Sequence, residues 1–194
     1  MVEGSALVEK ALEESQQVKT RMAKEQLGNL LKIAALFKDV LCNHGTIYLC
    51  GNGGSAADAQ HVAAEFVGRF LRERRPLPAV ALTTNTSILT AIGNDYDFSQ
   101  VFARQVRAQV TSRDVVAGIS TSGKSPNVIA ALHAARENGA KTVGFTGEPG
   151  EPLGAACDVC LKVPSKSTPR IQEAHILGWH VICDIVERHF ADAQ

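Results

Sequence analysis

A cluster of hydroxyl side chains follows the apolar run 114–119. Ser or Thr occupies four of the six positions in the segment 120–125, around Gly123. Hydroxyls donate hydrogen bonds to phosphate oxygens. Pro126, which follows, is typical of the first position of a helix, where free amides and the helix dipole attract anions. This segment, called the serine loop below, predicts a phosphate cradle formed by Ser120, Thr121, Ser122 and Ser125.

The composition of the serine loop leaves two questions open. A Ser/Thr-rich turn that ends in a helix cap would look similar without binding any ligand. Lys124 either adds positive charge to the cradle or points into solvent. We favour phosphate because the hydroxyls are concentrated where a strand is expected to end.

A glycine-rich segment follows an earlier apolar run. Gly51, Gly53 and Ala56 match a relaxed dinucleotide-binding fingerprint, but the tip of the next predicted strand carries no carboxylate to hold a ribose. A dinucleotide is therefore disfavoured. We expect this segment, called the glycine loop (51–55), to present backbone amides and the Asn52 side chain to a smaller ligand.

Two pairs of polar residues lie on predicted helices. His61 and Glu65 are four residues apart and share a helical face. Gln172 and His180 are eight apart, about 80° from alignment at ~100° per residue. Each residue alone reads as a surface Glu or a histidine at the edge of the core. If both pairs tilt into one cleft, a carboxylate and an imidazole there would supply the acid and base of a proton transfer. The four side chains together would also be a plausible set of nitrogen and oxygen ligands for a metal.

A short polar segment contains Asn94 and Asp95 next to Gly93. Such residues hydrogen-bond sugar hydroxyls, and they are equally typical of a simple turn with a helix cap. The sequence does not decide between the two interpretations.

Short apolar runs alternate with helical patterns along the chain, which predicts an α/β fold with a doubly wound, mostly parallel five-stranded sheet. The predicted strands are 46–50, 78–82, 114–119, 141–146 and 159–163. The predicted helices that follow them are 55–72, 85–92, 98–110, 126–138 and 170–190. Both polar loops follow strands, so we expect them at the sheet edge where ligands of such folds bind.

The chain is predicted to form a single domain, 1–194, with an N-terminal helical pair. Apolar residues at helical spacing predict helices over 4–22 and 24–43. No chemically active residue stands out in segment 1–44. We therefore expect it to pack on the domain or on a partner subunit.

Composition excludes several classes of function. The 20 basic and 20 acidic residues give a formal net charge of zero, so no strong field attracts nucleic acid or an anionic membrane. No apolar run approaches the ~20 residues of a membrane span. The N-terminus lacks signal-peptide features, which predicts a cytoplasmic protein. The cluster 72–75 reads as a solvated helix end.

The five cysteines are scattered and odd in number, as expected of reduced thiols. Cys157 and Cys160 form a C-x-x-C pair at the start of an apolar run. A redox or zinc role would need a helix N-terminus or a second ligand pair, so we interpret both as core thiols.

Taken together, these motifs resemble the sedoheptulose 7-phosphate isomerases, also called phosphoheptose isomerases, of the sugar isomerase (SIS) fold. The resemblance extends over the whole chain. The segments that carry it are 50–55, 61–65, 93–95, 118–123, 170–173 and His180.

The resemblance implies conversion of sedoheptulose 7-phosphate to D-glycero-D-manno-heptose 7-phosphate through an enediol, the entry step to heptose precursors. It implies that Glu65 is the base, that His180 is the acid and that the serine loop holds the phosphate. The implied sugar contacts are Asn52, Gly53, Gly54, Ser55, Glu65, Asn94, Asp95 and Gln172. The implied zinc ligands are His61, Glu65, Gln172 and His180. The family is tetrameric, with active sites at subunit interfaces.

Two alternatives remain at this stage. A relative of the family binds the bacterial replication initiator without catalysis, but it lacks the Glu and His that this chain has at 65 and 180. A phosphosugar sensor is the other, since fold alone does not assign function. Whether the implied zinc is catalytic, structural or inhibitory also stays open, because firmly bound Glu65 and His180 would not be free to act as base and acid.

Overall fold

Five strands form one sheet in the order β2-β1-β3-β4-β5, and all four neighbouring pairs are parallel. A computed structural model describes residues 2–191, with side chains from residue 4 onwards. The strands are β1 (Ile47–Gly51), β2 (Ala79–Ala81), β3 (Val115–Ile119), β4 (Lys141–Thr146) and β5 (Val159–Lys162). The predicted α/β fold with five strands is confirmed, and each predicted strand matches an observed strand within a few residues.

Helices cover both faces of this sheet. They are α1 (Val2–Glu25), α2 (Leu27–Cys42), α3 (Gly54–Val67), α4 (Thr86–Asp95), α5 (Ala103–Gln109), α6 (Pro126–Glu137) and α7 (Thr168–Ala191), with short 3₁₀ turns at Phe98–Gln100 and Leu153–Ala156. No helix within residues 2–191 is long and apolar enough to span a membrane.

The core lies in two layers, one on each side of the sheet. Successive residues of a strand face opposite ways, so Ile47 and Leu49 join the layer under α2, α3 and α7, while Tyr48 and Cys50 join the layer under α5 and α6. A strand buried on both faces needs a continuous apolar run, and this is the pattern that made the strands readable from the sequence.

The N-terminal helices α1 and α2 form the predicted pair. The apolar stripe of α2, which includes Ile33 and Phe37, is fully buried against α7, where Phe37 stacks on Trp179. In contrast, Leu7 and Leu12 on α1 are exposed in the single chain. Thus α2 belongs to the core, whereas the first half of α1 has no covering layer within residues 4–191.

Helix α3 ends at Val67, five residues before the predicted end. The carboxylate of Glu187 on α7 accepts hydrogen bonds from the backbone N–H groups of Phe70, Leu71 and Arg72 at 2.6–2.8 Å. These amides therefore turn toward α7 instead of continuing the helix. The prediction that 72–75 is a solvated helix end is wrong, because Arg74 is buried and paired with Glu187.

The predicted helix 98–110 is interrupted. The Asp97 side chain accepts from the N–H of Ser99 and begins a separate 3₁₀ turn, and the helix resumes only at Ala103. Helix α4 is longer than predicted, and Asn94 and Asp95 lie in its last turn rather than in a separate loop.

Strand order places both polar loops at the switch point of the sheet. Strands β1 and β3 are neighbours, but the connection from β1 leads to β2 on one side of them and the connection from β3 leads to β4 on the other side. Gly51 and Ile119 pair at the carboxyl ends of β1 and β3. The glycine loop and the serine loop follow these two residues directly. They flank the crevice where folds of this strand order bind their ligands.

Candidate active site

Three hydroxyl groups of the serine loop converge. Ser120 Oγ lies 2.8 Å from Ser125 Oγ and 3.5 Å from Ser122 Oγ. Ser120 is buried, while Ser122 is exposed. Ser125 stands at the N-cap of α6, and its side chain does not cap the helix. Its hydroxyl therefore lies at the positive end of the α6 dipole, where an anion is favoured, although Pro126 has no N–H and Val128 donates its own to Asn127 Oδ1.

The shape of the serine loop depends on Gly123. Its φ of +69° lies in the left-handed region, and an added Cβ would lie 2.8 Å from the carbonyl carbon of Gly150. The N–H of Gly123 donates to the Ser120 carbonyl, and its own carbonyl accepts from Leu153. Only glycine combines this conformation with this close approach. Lys124 is exposed, and its backbone N–H donates to Ser122 Oγ.

The glycine loop is tied to the start of α6. Asn52 Nδ2 donates to Asn127 Oδ1 at 2.9 Å, and Asn127 Nδ2 donates back to Asn52 Oδ1 at 2.8 Å. A cavity of about 320 Å³ opens beside this pair, lined also by Ser125 and by Asp97–Ser99. Sequence reasoning missed Asn127, although a polar residue in the buried first turn of a helix was a signal available to it.

The remaining residues of the glycine loop have different environments. Gly53, with φ +55°, and Gly54 are exposed, whereas Ser55 is buried with its Cβ against Gly51. Gln172 on α7 reaches this loop, since a Cβ on Gly54 would lie 2.5 Å from its Nε2. The absence of a side chain at Gly54 thus admits Gln172 to the glycine loop.

A second polar group forms between α3 and α7. His61 Nε2 lies 3.3 Å from Glu65 Oε1 and 2.9 Å from His180 Nε2. The His180 ring stacks on Phe70 with centroids 5.4 Å apart. We call His61, Glu65 and His180 the imidazole–carboxylate cluster. The predicted meeting of these three side chains is present in the structure.

Buried groups hold this cluster in place. Phe70, which supports His180, is fixed through its N–H by Glu187, and Glu187 is paired with the guanidinium of Arg74 at 3.5 Å. Both charged side chains are only 1% exposed, so the pair is well shielded from solvent. The end of α3 and the middle of α7 are locked together at this point.

Within one chain, the imidazole–carboxylate cluster lies far from the serine loop. Glu65 follows Gly54 by eleven residues of α3, about 16 Å at 1.5 Å per residue. The carbonyl of Phe66 accepts from Leu77, beside the start of β2, so this end of α3 lies at the amino edge of the sheet. The two polar loops lie at the opposite, carboxyl edge.

Gln172 does not join the cluster in a single chain. It precedes His180 by eight residues of α7, about 12 Å of helix, and contacts Gly54 instead. Across residues 4–191, no group of three His, Cys, Asp or Glu side chains is arranged to hold a metal ion. The 2.9 Å contact between the two imidazoles is a hydrogen bond, whereas two ligands of tetrahedral zinc stand about 3.3 Å apart at bond lengths of ~2.0–2.1 Å.

Asn94 and Asp95 lie on the exposed surface at the end of α4, where Asn94 Nδ2 donates to Asp95 Oδ1 at 2.8 Å. Neither side chain caps α4, whose N-cap is Asn85. Their hydrogen-bonding groups thus remain open to solvent on one side, and their predicted contact with a sugar stays a prediction.

The thiols of Cys157 and Cys160 lie side by side at the edge of the sheet. A hydrogen bond between them raises the pKa of Cys157 and lowers the pKa of Cys160. Both are half-buried and pack against the second core layer, and Cys157 Sγ also donates to the carbonyl of Leu153. The five cysteines are all free thiols.

The fold is an α/β domain with two polar loops at the carboxyl edge of its sheet, and comparison with known proteins identifies its class. The SIS domain model matches residues 12–147. A phosphoheptose isomerase of Roseiflexus sp. strain RS-1 is 57% identical over 177 residues, covering 91% of this chain and 90% of the relative. One from Geobacter sulfurreducens is 54% identical, covering 91% of this chain and 94% of that one.

Solved structures agree. A phosphoheptose isomerase from Neisseria gonorrhoeae superposes with a TM-score of 0.90 at 46% identity, and one from Francisella tularensis with 0.92 at 36%; each covers 95% of this chain and 98% of the other. The sugar isomerase domain of a transcription factor from Sphaerobacter thermophilus, at 18% identity and a TM-score of 0.67, shares the fold alone. This chain belongs to the SIS domain family and, within it, to the phosphoheptose isomerases.

Proposed function

We propose that this chain interconverts sedoheptulose 7-phosphate and D-glycero-D-manno-heptose 7-phosphate, and that the catalytic cluster of one copy serves the phosphate cradle of another. The substrate and the aldose–ketose reaction follow from membership of the phosphoheptose isomerases. The observation that carries the assignment to this chain is a three-hydroxyl cradle at the switch point together with a carboxylate that lies 3.3 Å from one of two hydrogen-bonded imidazoles.

Glu65 is the proposed base. Isomerisation of a 2-ketose removes a proton from C1 and returns one to C2, with an enediol between the two steps. A carboxylate suits both transfers because it can accept and release the same proton. His61 Nε2 contacts Glu65 Oε1, and this contact orients the carboxylate.

His180 is the proposed acid. As C1 loses its proton, negative charge develops on the C2 oxygen, and a neighbouring imidazole can protonate it and deprotonate the C1 hydroxyl. The direct contact between His180 and His61 lets a proton pass between the two rings. Phe70 holds the His180 ring from its other face.

The cradle fixes the other end of the substrate. Ser120, Ser122 and Ser125, aided by the dipole of α6, bind the phosphate and take no part in bond breaking. Thr121 completes the proposed set. Asn52, at the neighbouring loop, faces the cavity in which the carbon chain would lie.

The length of α3 suggests that each active site is formed by two copies of the chain. A seven-carbon sugar phosphate extends about 10 Å at ~1.2 Å per bond, shorter than the ~16 Å of helix between Gly54 and Glu65. A second copy that brings its cluster to the first copy's cradle would close this gap. This supports the tetramer with interfacial sites implied by the sequence resemblance.

Zinc remains a proposal for the imidazole–carboxylate cluster. The nitrogen and oxygen donors of His61, Glu65 and His180 are of the kinds that zinc binds, and a few tenths of an ångström separate their hydrogen-bonded arrangement from ligand spacing. Gln172 would have to come from another copy. A bound zinc would act as a Lewis acid toward the carbonyl.

The zinc proposal is tested by metal analysis of protein purified without added metal. We expect about one zinc per chain in the wild type and loss of zinc in His61→Gln, with His133→Gln as the control on the exposed face of α6. Zinc content unchanged in His61→Gln, or absent from the wild type after zinc addition, would contradict it.

We also retain the proposal of a cytoplasmic location, which the five free thiols support. The non-catalytic alternatives, a replication-initiator partner and a phosphosugar sensor, are not favoured. The chain keeps both Glu65 and His180, and its relatives at 49–57% identity are phosphoheptose isomerases.

Turnover of sedoheptulose 7-phosphate by the purified chain tests the function. We expect Glu65→Gln and His180→Gln each to lower kcat at least 100-fold, the usual scale for loss of an acid–base group, while substrate binding stays measurable by calorimetry. Glu73→Gln, at an exposed position, is the matched control. Full activity of Glu65→Gln would remove it as the base.

A further inference from the structure

The reciprocal amide pair between Asn52 and Asn127 has a fixed orientation. Asn127 Oδ1 accepts from Asn52 Nδ2 at 2.9 Å and also from the backbone N–H of Val128 at 3.0 Å. A flipped Asn127 amide would place an N–H group against each of these donors. The backbone of α6 therefore decides which end of the Asn127 amide is oxygen.

The orientation of the Asn127 amide determines the orientation of the Asn52 amide. With Asn127 set by α6, Asn52 must point its Nδ2 at Asn127 Oδ1 and its Oδ1 at Asn127 Nδ2. One N–H and one oxygen lone pair of Asn52 remain free, and the side chain borders the cavity beside Ser125. Asn127 also borders this cavity but is only 2% exposed, so the partly exposed Asn52 is the residue of the pair that is open to a ligand.

Backbone hydrogen bonds hold the course of the glycine loop, since the Asn52 carbonyl accepts from the N–H of Ser55, but within residues 4–191 the Asn52 side chain hydrogen-bonds only with Asn127. Gly53 is exposed with a φ of +55°, and no side chain caps the start of α3. The pair also crosses the switch point, because Asn52 follows β1 and Asn127 follows β3 and the serine loop. It joins the loop proposed to bind the sugar to the helix proposed to bind the phosphate.

We propose that Asn127 is a positioning residue, which locks the Asn52 amide in the orientation that binds the substrate's hydroxyls and sets its distance from the phosphate cradle. This inference rests on the proposed function, in which Asn52 contacts the sugar. Asn127 acts only through Asn52. Its loss should therefore matter only while Asn52 is present.

A double-mutant cycle tests this dependence. We expect Asn127→Ala to lower kcat/KM at least tenfold, chiefly by raising KM, and Asn52→Ala to lower it at least as much. Adding Asn127→Ala to Asn52→Ala should cost less than threefold more, because residues in direct contact are not additive. Equal losses in both backgrounds, or no loss in the single variant, would overturn the proposal.

Asn138→Ala is the control for a loss of activity that results only from reduced stability. Asn138 caps the other end of α6, and its amide donates to the carbonyls of Val106 and Val110. This variant also removes a structural amide, but we expect its kcat/KM to stay within twofold of the wild type. Urea unfolding of each variant confirms that the assays contain folded protein.

The cycle is also measured as the Kd for sedoheptulose 7-phosphate by calorimetry. Binding without turnover in the wild type would refute the proposed isomerisation, and the positioning role of Asn127 would then be tested through the Kd values of the cycle. Turnover with additive effects would refute the positioning role and leave the isomerisation standing. Absence of both binding and turnover would refute both.

Discussion

At the residue scale, the sequence indicated which side chains could act as acid, base or hydrogen-bond donor, but not which distant side chains contact one another. The spacing of His61 and Glu65 fixed a shared helical face, and their contact at 3.3 Å follows from it. The 2.9 Å contact between His61 and His180 joins residues 119 positions apart, which no local pattern encodes. The Asn52–Asn127 pair was missed for the same reason, since it joins the glycine loop to the first turn of α6, 75 positions later.

The cradle makes a prediction about substrate affinity. We expect Ser120→Ala combined with Ser122→Ala to raise KM at least tenfold, since each hydrogen bond to a charged phosphate contributes roughly 2 kcal/mol, while kcat changes less. Initial-rate kinetics measure this. Ser112→Ala, at an exposed position preceding β3, is the control; a KM unchanged in the double variant would mean that the phosphate binds elsewhere.

His175 predicts how stability depends on pH. Burial lowers its pKa from 6.5 to about 4, and its Nε2 contacts the Thr146 carbonyl. Between these two pH values the unfolded chain binds a proton that the folded chain does not. The free energy of unfolding should therefore fall as pH falls from 6.5 to 4, by about 3 kcal/mol from this group.

Urea unfolding at pH 7, 6 and 5 checks the contribution of His175. His175→Gln removes the titrating group and should flatten the slope relative to the wild type. His133→Gln, on an exposed part of α6, should keep the wild-type slope. A slope unchanged in His175→Gln would show that other groups set the pH dependence.

At the element scale, the sequence predicted which segments were helices and strands better than it predicted where they end. Strand runs were clear because burial on both faces demands continuous apolar residues. The early end of α3 depends on Glu187, which lies 115 to 117 positions away from the amides it binds. A terminus fixed by a distant side chain cannot be read from local propensity.

Glu187 gives a stability prediction for this junction. Glu187→Ala would leave the buried charge of Arg74 unpaired and three N–H groups without an acceptor. We expect a loss of about 3–5 kcal/mol in the free energy of unfolding. Asp184, which pairs with Arg72 and Arg188 and is 29% exposed, is the comparison, and Asp184→Asn should cost below about 1 kcal/mol.

Urea denaturation of both variants measures the difference. Because Glu187 also fixes Phe70, which stacks on His180, kcat per folded molecule should fall in Glu187→Ala and stay unchanged in Asp184→Asn. Equal stability losses in the two variants would contradict the role given to the buried pair.

At the scale of the whole molecule, the fold class and the position of both polar loops were predictable, but the distance from the serine loop to Glu65 was not. Strand alternation places the glycine and serine loops at one edge. The position of Glu65 eleven residues along α3 puts the carboxylate near the other edge. The residue pattern suggested one cleft without showing whether one chain or two form it, and the distance along α3 favours the interfacial site that the resemblance implied.

Complementation between two inactive variants tests this sharing most directly. Glu65→Gln lacks the base, and the Ser120→Ala, Ser122→Ala variant lacks the cradle. If one copy's cluster serves another copy's cradle, hybrid oligomers contain some sites built from the two intact halves. Co-expressed with different tags and purified through both, they should recover turnover of sedoheptulose 7-phosphate well above either parent. Activity no higher than the parents, in hybrids verified by native mass spectrometry, would place both halves in the same chain and contradict the shared site.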